Sequence, residues 1–156
     1  MKVREIMVQP VVLVRESATL EEIARIMLEK RIGCVPVTND RGQLSGIITE
    51  SDFTAKERGI PFSTYRAPQI LGQWMTKEGI ERVYEAARTM TAREIMTARV
   101  LTVSDDQSVE EVVECMLRHN IHRVPVVRDR VPVGIVARHD ILKLMAGDAG
   151  HREAWG

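Results

Sequence analysis

Leu20, Ile23, Ala24 and Met27 recur at steps of three and four among charged neighbours, the spacing that lines one face of an α-helix. Val109, Val112, Val113 and Met116 repeat the pattern later in the chain. Each stretch opens with a hydroxyl residue and, three positions on, a glutamate: Thr19-Leu20-Glu21-Glu22 and Ser108-Val109-Glu110-Glu111. Hydroxyl and carboxylate can then each accept from a backbone N–H left open at a helix start. Short extended runs, Val11 to Val14 and Val100 to Val103, precede these helices. Two β-branched runs follow each one, Cys34 to Thr38 with Leu44 to Thr49, and Arg123 to Val127 with Val131 to Ala137. Turn residues such as Asn39-Asp40-Arg41-Gly42 separate them, so each pair reads as a hairpin. A last helix from Asp140 to Met145 places Ile141, Leu142 and Met145 on a core-facing side.

The chain is therefore one βαββα unit written twice. Arg4-Glu5-Ile6-Met7 returns as Arg93-Glu94-Ile95-Met96, and the same offset brings Val35-Pro36-Val37 onto Val124-Pro125-Val126. One residue is lost in a turn, after which Gly46-Ile47-Ile48 matches Gly134-Ile135-Val136 and Asp52 matches Asp140. The repeats occupy residues 1–53 and 92–147, and a tail covers 148–156. Residues 54–91 are too varied for a plain linker: Gly59 to Pro68 is turn-rich, while Ile80, Val83, Tyr84, Ala87 and Met90 predict a helix over 78–90. Tyr65 and Trp74 read as core or interface aromatics.

Charge and composition narrow the function classes. The 22 basic residues balance 22 acidic ones, which argues against a duplex nucleic-acid binder, and the few aromatics give single strands few platforms for stacking. No run approaches the roughly 20 apolar residues of a membrane span, and Met1-Lys2-Val3-Arg4-Glu5 lacks a secretory core, so no membrane insertion and a cytoplasmic location are expected. Cys34 and Cys115 match no metal or redox spacing and read as reduced thiols. His119, His122, His139 and His151 form no metal pattern, neither cysteine has a nucleophile signature, and no Gly-rich phosphate loop occurs, so an enzyme is not expected.

In each copy a helix leads to a Val-Pro-Val strand and then to Gly-apolar-apolar-x-x-x-Asp, the fourth position being Thr49 in the first copy. This ordered signature resembles the cystathionine-β-synthase-type (CBS) domain, and its duplication resembles a CBS pair over nearly the whole chain. The resemblance implies an α+β fold, two βαββα units packed about a pseudo-twofold axis with two clefts between them. It also implies a regulatory role without catalysis, homodimers, a separate effector enzyme or transporter, and no required cofactor. The regulatory ligand would be an adenine nucleotide (AMP, ADP or ATP) or S-adenosylmethionine.

Carried onto this sequence, the resemblance assigns Asp52 and Asp140 to ribose hydroxyls and Thr49 to phosphate, and Gly46 would let the backbone approach the ligand closely. Ala137 stands where the second copy should carry a hydroxyl, and Arg138 can supply charge in its place, so the Asp52 site ranks above the Asp140 site. A proline removes a ladder donor and belongs at an edge or a strand start, leaving backbone groups that can read a base. Gly33, Cys34, Val35 and Pro36, with His122, Arg123, Val124 and Pro125, are the slot candidates, joined by Val12 and Leu101. Asp52 and Asp140 also sit where helices begin, so a capping role explains them equally well. A scaffold protein with vestigial clefts is the second reading, and a single-strand binder a distant third.

Overall fold

The computed structural model describes residues 1–53 and 85–147, and the backbone alone of 69–70 and 73–74. The first repeat contains α1 (Val3–Ile6), β1 (Val14–Arg15), α2 (Leu20–Lys30), β2 (Cys34–Thr38), β3 (Leu44–Thr49) and a 3₁₀ turn, Glu50–Phe53. A short antiparallel pair follows, β4 (Gln69–Ile70) with β5 (Gln73–Trp74). The second repeat contains α3 (Ala92–Ile95), β6 (Val103–Ser104), α4 (Val109–His119), β7 (Arg123–Arg128), β8 (Val131–Ala137) and α5 (Arg138–Ala146).

Both long helices start as the sequence predicts. The Thr19 hydroxyl accepts from the Glu22 N–H at 3.3 Å while the Glu22 carboxylate accepts from the Thr19 N–H at 2.9 Å. Ser108 and Glu111 repeat the exchange at 3.2 and 2.8 Å. Each box fixes two backbone donors that would otherwise stay open, a contribution of about 1 kcal/mol. Both helices stop at a residue in the left-handed region, Arg31 at φ 54° and Asn120 at φ 50°. Leu20, Ile23 and Met27 of α2, and Val109, Val112 and Met116 of α4, are buried against the sheets.

Each repeat builds a three-stranded sheet, ordered β1-β2-β3 and β6-β7-β8. The first pair in each is parallel and the second antiparallel, with Pro36 opposite Ile47 and Pro125 opposite Ile135. The two prolines thus lie on central strands, contrary to the edge position that their missing N–H suggests. The reason is the shortness of β1 and β6: Val14 and Arg15 pair only with Val37 and Thr38, so the flank of β2 from Cys34 to Pro36 has no strand beside it. A proline there forfeits no ladder bond on that side.

The repeats are interlocked. Residues 1–8 belong to the first copy in sequence but pack on the second: the N–H groups of Val3 and Arg4 donate to the carbonyls of Gln107 and Asp105, and Val8 exchanges bonds with Ile135 at 2.8 and 3.2 Å. Val3 and Met7 are members of the second core, with Val103, Val112, Val124, Val126 and Val136. The reciprocal holds for α3, whose Ala92 and Ile95 complete the first core with Val14, Ile23, Val35, Val37 and Ile48, while Thr97 pairs with Ile47. Each exchanged segment also covers the open edge of the partner repeat's sheet, where unpaired backbone groups would otherwise face solvent.

Gly46 and Gly134 follow from this exchange. A Cβ on Gly46 would stand 2.5 Å from the Met96 sulfur and 2.9 Å from the Thr97 carbonyl, and one on Gly134 would stand 2.6 Å from the Met7 sulfur. The close approach that Gly46 was expected to offer a ligand is made by the other repeat's backbone. In α5, Ile141 packs partly against the second core, but Leu142 and Met145 are exposed, so the core face expected there ends after one turn. Of the helix expected over 78–90, residues 85–88 are helical, and 78–84 lie outside the described residues, as do the tail and the side chains of Tyr65 and Trp74.

Candidate functional site

After α1 docks on the second repeat, residues 9–13 run back across the interface to β1 of the first. Because this strap leaves β2 before reaching Cys34, a cleft opens between strap and strand. Val8 and the strap residues Pro10, Val11 and Val12 line it, with Ile32, Gly33 and Cys34 from the first repeat and Arg123, Ile135, Ala137 and Asp140 from the second. The lining is largely apolar and carries one carboxyl and one guanidinium. That is the composition of a site that sequesters a flat, mostly apolar body and fixes it through a few polar groups.

Asp140 is 7% exposed and sits in the first turn of α5, where its Oδ2 accepts from the Ala137 N–H at 2.7 Å. Burial pushes its carboxyl above the usual carboxylate range, and the Ala137 N–H, Lys143 and His139 only partly offset this. Asp52, 8% exposed, makes the matching bond to the Thr49 N–H at 2.8 Å. Both aspartates therefore cap, as one of their two readings holds. The Thr49 hydroxyl also lies 2.7 Å from the Ser51 hydroxyl.

Arg123 opens β7 and lays its side chain over Gly33 of the other repeat, where a Cβ would meet Nη2 at 2.7 Å and Cζ at 3.3 Å. Beside it, burial raises the Cys34 thiol to about 11, against the lowering pull of the Arg123 charge and with a further upward push from Glu50. At neutral pH the thiol is protonated, a weak donor on the cleft wall and no nucleophile.

Of the residues singled out in the sequence, the cleft brings together Val12, Gly33, Cys34, Arg123 and Asp140. Val35, Pro36, Val124 and Pro125 do not line it: they are buried in the sheets, the two valines as members of the two cores. Thr49 and Asp52 lie across the pseudo-symmetry, and Leu101 is exposed on the second strap. His122 is exposed, and so is Arg138, whose Nη2 lies 3.4 Å from Asn120 Oδ1. Among the described residues, an apolar cleft thus lies at Asp140, the site ranked second from sequence. Sequence reasoning missed Val8, Pro10 and Val11, because only the exchange of α1 carries the strap over Asp140. Among the described residues, no cluster of His, Cys, Asp and Glu could hold a metal, and no helix is long and apolar enough to cross a membrane.

Comparison with known proteins agrees with this architecture. The family model described as CBS domain matches twice, at residues 3–58 and 92–147. The CBS domain of a CBS-domain-containing membrane protein from Sphaerobacter thermophilus is 47% identical, with 92% of this chain and 87% of that one aligned at a TM-score of 0.75. The CBS domain pair of protein MJ0100, solved with 5′-methylthioadenosine and S-adenosyl-L-methionine, is 30% identical, with coverages of 94% and 97% and a TM-score of 0.68. An L-aspartate semialdehyde sulfurtransferase of Methanocaldococcus jannaschii is 32% identical over 93% of this chain, which spans only 23% of that enzyme.

Proposed function

We propose, from the premise that this chain belongs to the CBS domain family, that it is a non-catalytic sensor taking an adenosine-containing ligand into the cleft at Asp140. One observation carries the reading: a largely apolar cleft is lined from both repeats and holds a buried carboxyl. The carboxylate accepts from the ribose hydroxyls, the strap and Ile32 flank the base, and free backbone groups at the start of β2 read its edge. The relative solved with two adenosyl compounds supports the ligand class. Asp52, with Thr49 beside it, offers a second, repeat-related ribose and phosphate site.

A ligand there touches both repeats and the strap, so it favours the arrangement in which all three are closed and shifts the population toward it. A separate effector protein reads that shift. Leu28 and Leu117, at matching positions of α2 and α4, are 79% and 74% exposed and form the contact face of a homodimer in this reading.

Isothermal titration with adenosine, AMP, ATP and S-adenosylmethionine tests the proposal. Saturable binding is expected, and Asp140→Ala should weaken it by roughly tenfold or more, the loss of one charge-assisted bond worth ~1.5–3 kcal/mol. Absence of binding by the unmodified protein would leave the scaffold reading, for which the exposed Leu28 and Leu117 speak. Light scattering of Leu28→Glu/Leu117→Glu checks the dimer face: a dimer that persists sinks it.

A further inference from the structure

The two clefts are related by the repeat, yet their walls differ, most of all in size and charge where β2 and β7 begin. Gly33 and Cys34 in the first copy correspond to His122 and Arg123 in the second. The guanidinium of Arg123 reaches across the interface and rests on Gly33, with Nη2 2.7 Å and Nε 3.8 Å from the place a Cβ would occupy. Among the described residues it makes no hydrogen bond or ion pair and is the only cation lining the Asp140 cleft. The reverse reach is impossible. Cys34, which stands where the second copy has Arg123, is too short to extend over position 122 and carries no charge to place there, and position 122 itself carries a side chain.

We infer that Gly33 is a positioning residue that fixes ligand charge selectivity: by lacking a side chain it admits the Arg123 guanidinium to the Asp140 cleft, which thereby prefers a nucleoside phosphate to the bare nucleoside. The inference rests on the adenosine-ligand reading above and adds to it the tail chemistry and the residue that sets it. Ala137 lines the same wall without a hydroxyl, so among the lining side chains an anionic tail finds strong donors in the guanidinium alone. Two parallel N–H donors suit the oxygens of a phosphate. Burial raises the Cys34 thiol, and the Arg123 charge beside it opposes that rise, in keeping with a guanidinium at this wall.

The substitution that tests this is mild. Gly33 is not in the left-handed region, and the atoms an added methyl meets are the far end of one flexible side chain, so Gly33→Ala moves the guanidinium and leaves the backbone in place. The full chain, its Gly33→Ala variant and Arg123→Gln are titrated with adenosine, AMP and S-adenosylmethionine at low and moderate salt, with circular dichroism checking the fold. The AMP-to-adenosine preference is expected to fall by about tenfold in both variants, together with the salt dependence of AMP binding, the scale of one charge-assisted contact. S-adenosylmethionine, which carries a carboxylate and no phosphate, should show a smaller change. An equal change with S-adenosylmethionine overturns the phosphate assignment. A preference lost in Arg123→Gln but kept in Gly33→Ala overturns the role of Gly33, and a preference kept in both overturns the inference alone. No binding of any adenine compound by the unmodified chain overturns the underlying function as well.

Discussion

Met7 is the most direct test of the interlocked architecture, because its sequence neighbours assign it to one repeat and its contacts to the other. Its side chain is buried among Val103, Val112, Val124, Val126 and Val136, with its sulfur over the bare face of Gly134. Met7→Ala removes three heavy atoms from that contact. Gly134 has no side chain that can move into the gap, and β8 is held by the full β7 ladder, so the void closes poorly. Core methionine-to-alanine changes cost about 2–5 kcal/mol, and limited collapse favours the upper half of that range. Urea denaturation gives the total, with an unchanged slope expected if the pair unfolds as one unit. Amide shifts in a ¹H–¹⁵N correlation spectrum locate the damage: the largest should fall on Val103, Val126, Gly134 and Val136, and those of Val35, Val37 and Ile48 should be small. A cost below about 0.5 kcal/mol, the scatter of surface substitutions, would refute the reasoning, as would shifts concentrated in the first repeat.

The reciprocal contact makes Gly46→Ala costly, since the new Cβ would stand 2.9 Å from the Thr97 carbonyl, a backbone atom that cannot swing away. About 1–3 kcal/mol of overpacking is expected in thermal denaturation, and a neutral variant would contradict the packing described. Burial holds the Asp140 carboxyl above the value it has in the unfolded chain, so the stability it contributes is complete below that unfolded value and is lost as pH rises through the folded pKa. Asp140→Asn should therefore gain on the parent protein as pH rises from acid toward neutrality in the absence of ligand; a difference that is flat or moves the other way rules this out. With its thiol raised to about 11, Cys34 should react with iodoacetamide far more slowly than the less buried Cys115, and bound AMP should slow it further. Mass spectrometry of briefly labelled protein reads this directly, and equal labelling of the two cysteines would count against the cleft as drawn.

The elements were legible because each is announced locally. Capping boxes at Thr19 and Ser108 fix both helix starts, and steps of three and four fix the faces that carry Ile23 and Val112 into the cores. Asp52 and Asp140 stood out because the repeat aligns them and the family resemblance assigns both to ribose hydroxyls, although capping and ligand binding leave the same trace in a sequence. Gly46 reads in the sequence as a point where a ligand approaches closely, but Met96 and Thr97 stand there in the structure, as Met7 stands at Gly134. What approaches them is not written in the neighbouring residues, and a methionine from the opposite repeat produces the same glycine as a ligand would.

The exchange of α1 and α3 was not legible for a reason that duplication itself creates. Arg-Glu-Ile-Met occurs in front of both repeats, and the groove it fills beside Gly134 has a twin beside Gly46, so hydrophobic pattern alone is satisfied by packing at home or packing across. Local sequence cannot separate two partners that offer equivalent surfaces. The path of the chain can, since only the crossed arrangement carries residues 9–13 over the interface, and that path turns the flank of β2 into a cleft wall. It follows that the preference for Asp140 or Asp52 cannot be judged from the two motifs alone. Ala137 and Thr49 differ in their side chains, but the Asp140 cleft also draws on the opposite repeat, where the Arg123 guanidinium lies over Gly33.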